Sequence, residues 1–309
     1  MTTECFILAR AVHFGVCLLF FGVFAFDRFV TASILGGEKT EAANYWKSCV
    51  RLFSLFLLPI IFISGIVWFV LVAMAMSGQP PQLEILKTVW MQTQFGMVWK
   101  IRFITWIAAT VTVAPFLFSK SQSPFQKGLI WLQLVFGGVL LGSLAWAGHG
   151  EEDSRWHLVA DILHLLVAGL WPTGLLPFAM LLREFRRTSE PAIVLLIRRF
   201  SALSLLSVSL LSATGLINSW FLVGSFSNLF NQTYGRWLMV KIAFFCVAVA
   251  IGAVNLLRLK PRLSVESLQS QNAQMTAVQL QFNVQVELVL GIAVVIVVAI
   301  LGILPPANH

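Results

Sequence analysis

His157, Asp161 and His164 are spaced i, i+4 and i+7 within one of the most apolar stretches of the chain, Trp156 to Gly174. At about 100° per residue, those spacings put all three side chains on one stripe of a helix. Imidazole is the commonest metal ligand, and a neighbouring carboxylate orients it by accepting its second N–H. Asp161 reaches either histidine. It reads as a ligand, as a partner that orients a ligand, or as a helix-start charge favoured by the dipole. A second ligand type lies nearby in sequence. Met74 and Met76 end an apolar run, and Met91 and Met97 follow soon after. Thioether sulfur is soft and selects Cu(I) over harder metals, although methionine also serves as an apolar gap-filler.

The elements that must hold these residues are membrane helices. Of 309 residues, 58% are hydrophobic and only 11% are charged, a composition that no ordinary soluble domain has. A span needs roughly 20 apolar residues. That length predicts an all-α, polytopic membrane protein with eight transmembrane helices, at residues 6–26, 52–76, 98–118, 129–147, 158–182, 203–223, 237–257 and 286–304. Alternating β-barrel strands are excluded by the length of the runs. Glu4 stands where a signal peptide would carry basic residues, so the first helix is expected to stay in the membrane. No Walker A, GxSxG, HExxH or GxGxxG pattern occurs, and no enzyme activity is expected, with a redox role left open.

The net charge of +8 reads as topology rather than as nucleic-acid binding. Fourteen Lys and Arg residues fall in the loops after the first, third, fifth and seventh spans. Seven fall on the other side: Arg10, Lys87, Lys100, Arg102, Arg155, Arg236 and Lys241. The positive-inside rule puts the first set in the cytoplasm. A multi-pass protein of the bacterial inner membrane, surrounded by lipid and with both termini periplasmic, is the expectation. The cysteines, Cys5, Cys17, Cys49 and Cys246, form no CxxC pair and read as small apolar residues.

The chain also resembles itself. Ala9-Arg-Ala-Val-His13 matches Ala160-Asp-Ile-Leu-His164, and Ser64-Gly-Ile66 matches Thr214-Gly-Leu216. Lys100-Ile-Arg-Phe103 matches Lys241-Ile-Ala-Phe244, and Gln133-Leu-Val-Phe-Gly137 matches Glu287-Leu-Val-Leu-Gly291. Four matches in one order predict a parallel 4+4 internal repeat. The halves are residues 1–147 and 157–309, joined by a periplasmic linker at 148–156. His13 and His164 then take equivalent places at similar depth. Arg10 aligns with Asp161, which suggests an ion pair between the first and fifth helices. Ionisable groups inside a membrane are costly and usually face the bundle interior with a partner. All five histidines, His13, His149, His157, His164 and His309, fall towards one side. A shared metal accounts for that; so does a b-type haem with His13 and His164 as axial ligands.

Over essentially its whole length the sequence resembles the CopD/PcoD family of copper-resistance membrane proteins. The resemblance is carried by Ala9 to His13 and by Asp161-Ile-Leu-His164-Leu-Leu-Val-Ala-Gly-Leu-Trp171 with Gly174-Leu-Leu-Pro177. It continues in Arg199-Phe-Ser201, Thr214 to Asn218, Tyr234-Gly-Arg236 to Lys241, and Asn255-Leu-Leu-Arg258. Pro172-Thr173 departs from the small pair expected after the Trp. The resemblance implies movement of copper ions across the inner membrane, with a periplasmic copper carrier of the CopC/PcoC type delivering the ion. On that reading, His149, His157, Met74 and Met76 collect Cu(I) at the outer face, and His13, His164 and Asp161 pass it inward. A protein that does not transport, and only docks the carrier at Glu151-Glu152-Asp153, is the remaining alternative.

Overall fold

The computed structural model describes residues 3–35, 40–118, 124–146, 155–188, 192–263 and 270–307. His149, His309 and the acidic Glu151-Glu152-Asp153 stretch lie outside the described residues. The regular structure of those described is entirely helical, with no strand among them. The α-helices are α1 (Thr3–Phe26), α2 (Glu41–Ser77), α3 (Leu83–Gln92), α4 (Gln94–Phe118), α5 (Pro124–Trp146) and α6 (Arg155–Ala168). They continue with α7 (Leu175–Thr188), α8 (Ala192–Val223), α9 (Phe226–Asn231), α10 (Thr233–Val254) and α11 (Gln271–Leu301). A π-helical turn extends α1 over Asp27–Thr31, and another extends α10 over Asn255–Leu259.

Among the described residues, seven helices are long and apolar enough to cross a membrane. The chain is a multi-pass membrane protein. The fifth span, expected to run unbroken through 158–182, is instead two fourteen-residue helices, α6 and α7, joined by turns at 169–174. Pro172 has no N–H to continue the ladder, and Pro177 follows five residues later. The opened backbone is satisfied locally, because Thr173 Oγ1 donates to the Gly169 carbonyl at 2.6 Å. The Thr173 hydroxyl is what a small or glycine-rich pair would have lacked.

Hydroxyls elsewhere are also satisfied within their own helices. Ser54, Thr105, Thr110 and Ser204 each donate to the carbonyl four residues earlier, as polar side chains in lipid must. Side chains such as Leu8, Ile63, Ile104, Val111 and Leu216 remain exposed and form the surface that lipid tails cover.

Within this bundle, α1 packs on α2 and α5, while α6 packs on α8 and α7 packs on α11. Between these groups, α5 meets α6 and α1 meets α11. The contact of α1 with the α6–α7 turn is made by glycine. A Cβ on Gly22 would overlap Thr173 and sit 2.7 Å from the Gly169 carbonyl oxygen. Gly22→Ala is therefore expected to destabilise by about 1–3 kcal/mol, seen as a lower melting temperature in detergent. Gly138→Ala, whose added carbon finds its nearest neighbour at 3.5 Å, is the matched control and is expected to melt like the wild type.

Candidate functional site

His13 projects from α1 into a box built by α2, α4 and α5, and only 1% of it is exposed. Its Nδ1 lies 2.9 Å from Ser64 Oγ, and Ser64 Oγ donates onward to the Ile60 carbonyl at 2.6 Å. The serine hydrogen is thus used, and the hydroxyl accepts from His13 Nδ1–H. Arg102 Nη2 donates to the other ring nitrogen, Nε2, at 2.6 Å. The ring is neutral, and its single lone pair is taken by a guanidinium. Arg102 Nη1 donates to the Leu140 carbonyl and to Ser143 Oγ, and Cys17 Sγ lies 3.6 Å from Nη2. Trp68 and Trp99 close the box, with ring centroids 5.3 and 5.7 Å from the imidazole. Arg102 also stacks over Trp99 at 5.2 Å, a favourable placement for a desolvated cation.

His164 makes the matching first contact. Its Nδ1 is 2.9 Å from Thr214 Oγ1, which donates onward to the Leu210 carbonyl at 2.7 Å. The Nδ1–H is again the donor. Among the described residues, nothing engages Nε2. The reason is one substitution between two aligned segments: where Lys100-Ile-Arg-Phe103 carries Arg102, Lys241-Ile-Ala-Phe244 carries Ala243. Without that guanidinium the second imidazole keeps its lone pair.

The structure does not bring His13 and His164 together. His13 and Gly22 are nine residues apart on α1, half a turn out of phase at about 100° per residue. Gly22 faces the α6–α7 turn, so His13 points the other way, and each histidine is held by a hydroxyl from a different helix.

Asp161 is grouped differently. It accepts from Asn218 Nδ2 at 3.1 Å and lies within electrostatic reach of Lys241, His157 and Arg10. The Asn218 carbonyl oxygen is buried with no hydrogen-bond partner. His157 is 2% exposed and stacks on Phe221 with centroids 4.9 Å apart. Arg10 donates to the Gly302 carbonyl at 2.8 Å, a cation placed at the C-terminus of α11, rather than closing an ion pair with Asp161. Met74 is half-buried and Met76 exposed at the end of α2. Met74 is ten residues past Ser64, roughly 15 Å along the helix, and therefore far from the His13 box. Among the described residues no three of His, Cys, Asp and Glu cluster closely enough to hold a metal.

Comparison with known proteins decides the family. A profile described as "Copper resistance protein D-like, N-terminal domain" matches residues 1–158, and "Copper resistance protein D" matches residues 194–301. Copper resistance protein D of Pseudomonas syringae pv. tomato is 31% identical, covering 97% of each chain. The chain belongs to the copper resistance protein D family. It is also similar to the copper transport protein CutJ of Bacillus subtilis (strain 168), 30% identical over 54% of this chain and 31% of that one. Inner membrane protein YebZ of Escherichia coli (strain K12) is 24% identical over 70% of both. No solved structure matches.

In this member of the family, the residues do not fit a haem held by His13 and His164. Axial ligation would need both Nε2 atoms aimed at one iron, whereas His13 Nε2 accepts from Arg102. Arg102 and Lys241, grouped by sequence with the outer loop charges, lie inside the bundle instead. The signal was present, since both lie within predicted spans, where a charge faces the protein interior.

Proposed function

We propose that this protein moves copper ions from the periplasm across the inner membrane, and that the ion engages His164. The observation carrying this reading is the open Nε2 of His164, on the helical stripe it shares with Asp161. The aligned His13 is closed by Arg102. A neutral imidazole suits Cu(I). The neighbouring cation Lys241 weakens a bound cation, which favours a station the ion enters and leaves over a storage site. His157, two turns or roughly 10 Å outward from His164 on α6, is the outer partner of this station. A periplasmic carrier of the CopC/PcoC type would deliver the ion, with Met74 and Met76 at the outer face.

The two halves act as duplicated units of unequal role. Their common descent is supported by the repeated neighbour relations of α1 with α2 and α6 with α8, and by the paired imidazole–hydroxyl bonds of equal length. The broken α6–α7 segment serves as the fifth of eight spans. Arg10, Arg102 and Lys241 are held inside the bundle, so only Lys87, Lys100, Arg155 and Arg236 remain as outer loop cations against fourteen inside. That imbalance supports periplasmic termini.

Purified protein loaded with Cu(I) and desalted is expected to retain copper on elemental analysis and to show no Soret band on dithionite reduction. A Soret band would overturn the copper reading in favour of a cytochrome, and a protein empty of both would overturn it in favour of a docking scaffold.

A further inference from the structure

Glu287 stands on α11 where the aligned segment of the first half has Gln133. Gln133 is anchored through its nitrogen: its Nε2 donates to the Ala109 carbonyl at 2.9 Å and to Thr112 Oγ1 at 2.8 Å, while its Oε1 is buried with no hydrogen-bond partner. Glu287 is different in surroundings as well as in type. It is only 3% exposed, and it lines a cavity of about 140 Å³ together with Asn255, Ser201 and Ser204, walled by Trp171 and Phe200. A space of that size holds several water molecules. The wall is opened on one side by the π turn that begins at Asn255 and by Gly252, whose missing Cβ would lie 3.6 Å from Glu287 Oε2. Such π turns are frequent at functional sites.

The polar groups are oriented in series. Asn283 Nδ2 donates to Asn255 Oδ1 at 2.7 Å, which fixes the Asn255 amide. Asn255 Nδ2 then donates to Glu287 Oε1 at 2.6 Å. Among the described residues Oε2 accepts no hydrogen bond and faces the cavity side. Among the described residues, no other ionisable group lines the cavity. On α7, Arg186 donates to Gln281 and Arg187 pairs with Glu184 and Glu41. Arg198 and Arg199 of α8 and Arg258 of the π turn are exposed. On α10, Lys241 belongs to the Asp161 group, eleven residues or roughly 16 Å from Gly252. On α1, Asp27 is bonded to Trp46 and Thr31. A buried carboxylate without a partner charge is strongly disfavoured, so whatever neutralises Glu287 must come through the cavity. Its oxygens are hard donors, poor ligands for Cu(I), so the site does not serve the copper ion itself.

We propose that this cavity is a proton-binding station of the second half, in which the Glu287 carboxyl exchanges its proton with cavity water. The O–H bond of the acid breaks, the proton passes to a water oxygen, and the carboxylate left behind is held by Asn255. The first half, with an amide in the aligned place, has no counterpart. The proposal does not depend on copper.

The test is pH-titrated infrared difference spectroscopy on the purified full-length protein, wild type against Glu287→Gln. Glutamine is the residue the first half already accommodates, so the variant is expected to fold, with a melting temperature like the wild type. The wild type is expected to show a protonated-carboxyl band that is lost as pH rises, and Glu287→Gln to lack that component. Asn255→Leu is expected to retain the band and move its midpoint by about one pH unit, a tenfold change in proton affinity. Identical titrations in wild type and Glu287→Gln would overturn the proposal. So would a band that responds to added sodium at fixed pH, which would mark a metal-cation site.

Discussion

His164→Ala is expected to lower copper uptake into spheroplasts about tenfold or more at matched expression. Losing even a residue that only orients a metal ligand typically costs about 10–100-fold in affinity, and His164 supplies an imidazole lone pair that the described residues leave open. The aligned change provides the contrast. His13→Ala removes an acceptor already used by Arg102, and uptake per folded molecule is expected to stay within about twofold of wild type. Its cost falls on stability, because a buried guanidinium N–H loses its partner at about 1–3 kcal/mol. Radiolabelled or elemental copper uptake, normalised to folded protein, separates the two. Equal losses in both variants would show that the imidazoles act as one site, against the geometry that turns them apart.

Arg102→Ala is expected to be the most destabilising single change in the first half, by about 2–4 kcal/mol. Arg102 is 3% exposed and joins α4 to α5 and α1 through the Leu140 carbonyl, Ser143 Oγ and His13 Nε2. Its removal leaves those three acceptors buried and empties the face of Trp99. Arg102→Lys keeps the charge but not the planar fork, which reaches separate acceptors at once, and is expected to recover less than half of the loss. Thermal melting in detergent measures both. A full rescue by lysine would mean that charge alone, and not the forked geometry, holds these helices together. Arg102→Ala also frees His13 Nε2, so any molecules that remain folded are expected to bind one copper ion more than wild type.

Much of this protein is legible in its sequence because lipid imposes a simple rule. Every backbone group must be satisfied within its own segment, so long apolar runs can only be helices, and all seven long helices coincide with predicted spans. The eighth expectation failed in detail at 169–174, where run length alone could not weigh Pro172 against a helix. The repeated patterns are equally visible in the sequence, where they align Arg102 with Ala243 and Gln133 with Glu287.

What the linear pattern could not supply was direction. An i, i+4, i+7 stripe establishes that His157, Asp161 and His164 share a face, but not what that face meets. His13 and His164 at matched depth suggested one shared ion, yet whether two rings converge depends on how each helix is rotated about its axis. Glycine contacts at Gly22 and Gly169 set that rotation for α1 against the α6–α7 turn. Composition, helical periodicity and internal likeness determined the membrane helices, their order and the residues able to do chemistry. Only the tertiary packing decided that Arg102 closes one imidazole, that the other stays open, and that Glu287 borders a cavity. Those outcomes depend on contacts between residues far apart in the chain, which no local spacing encodes.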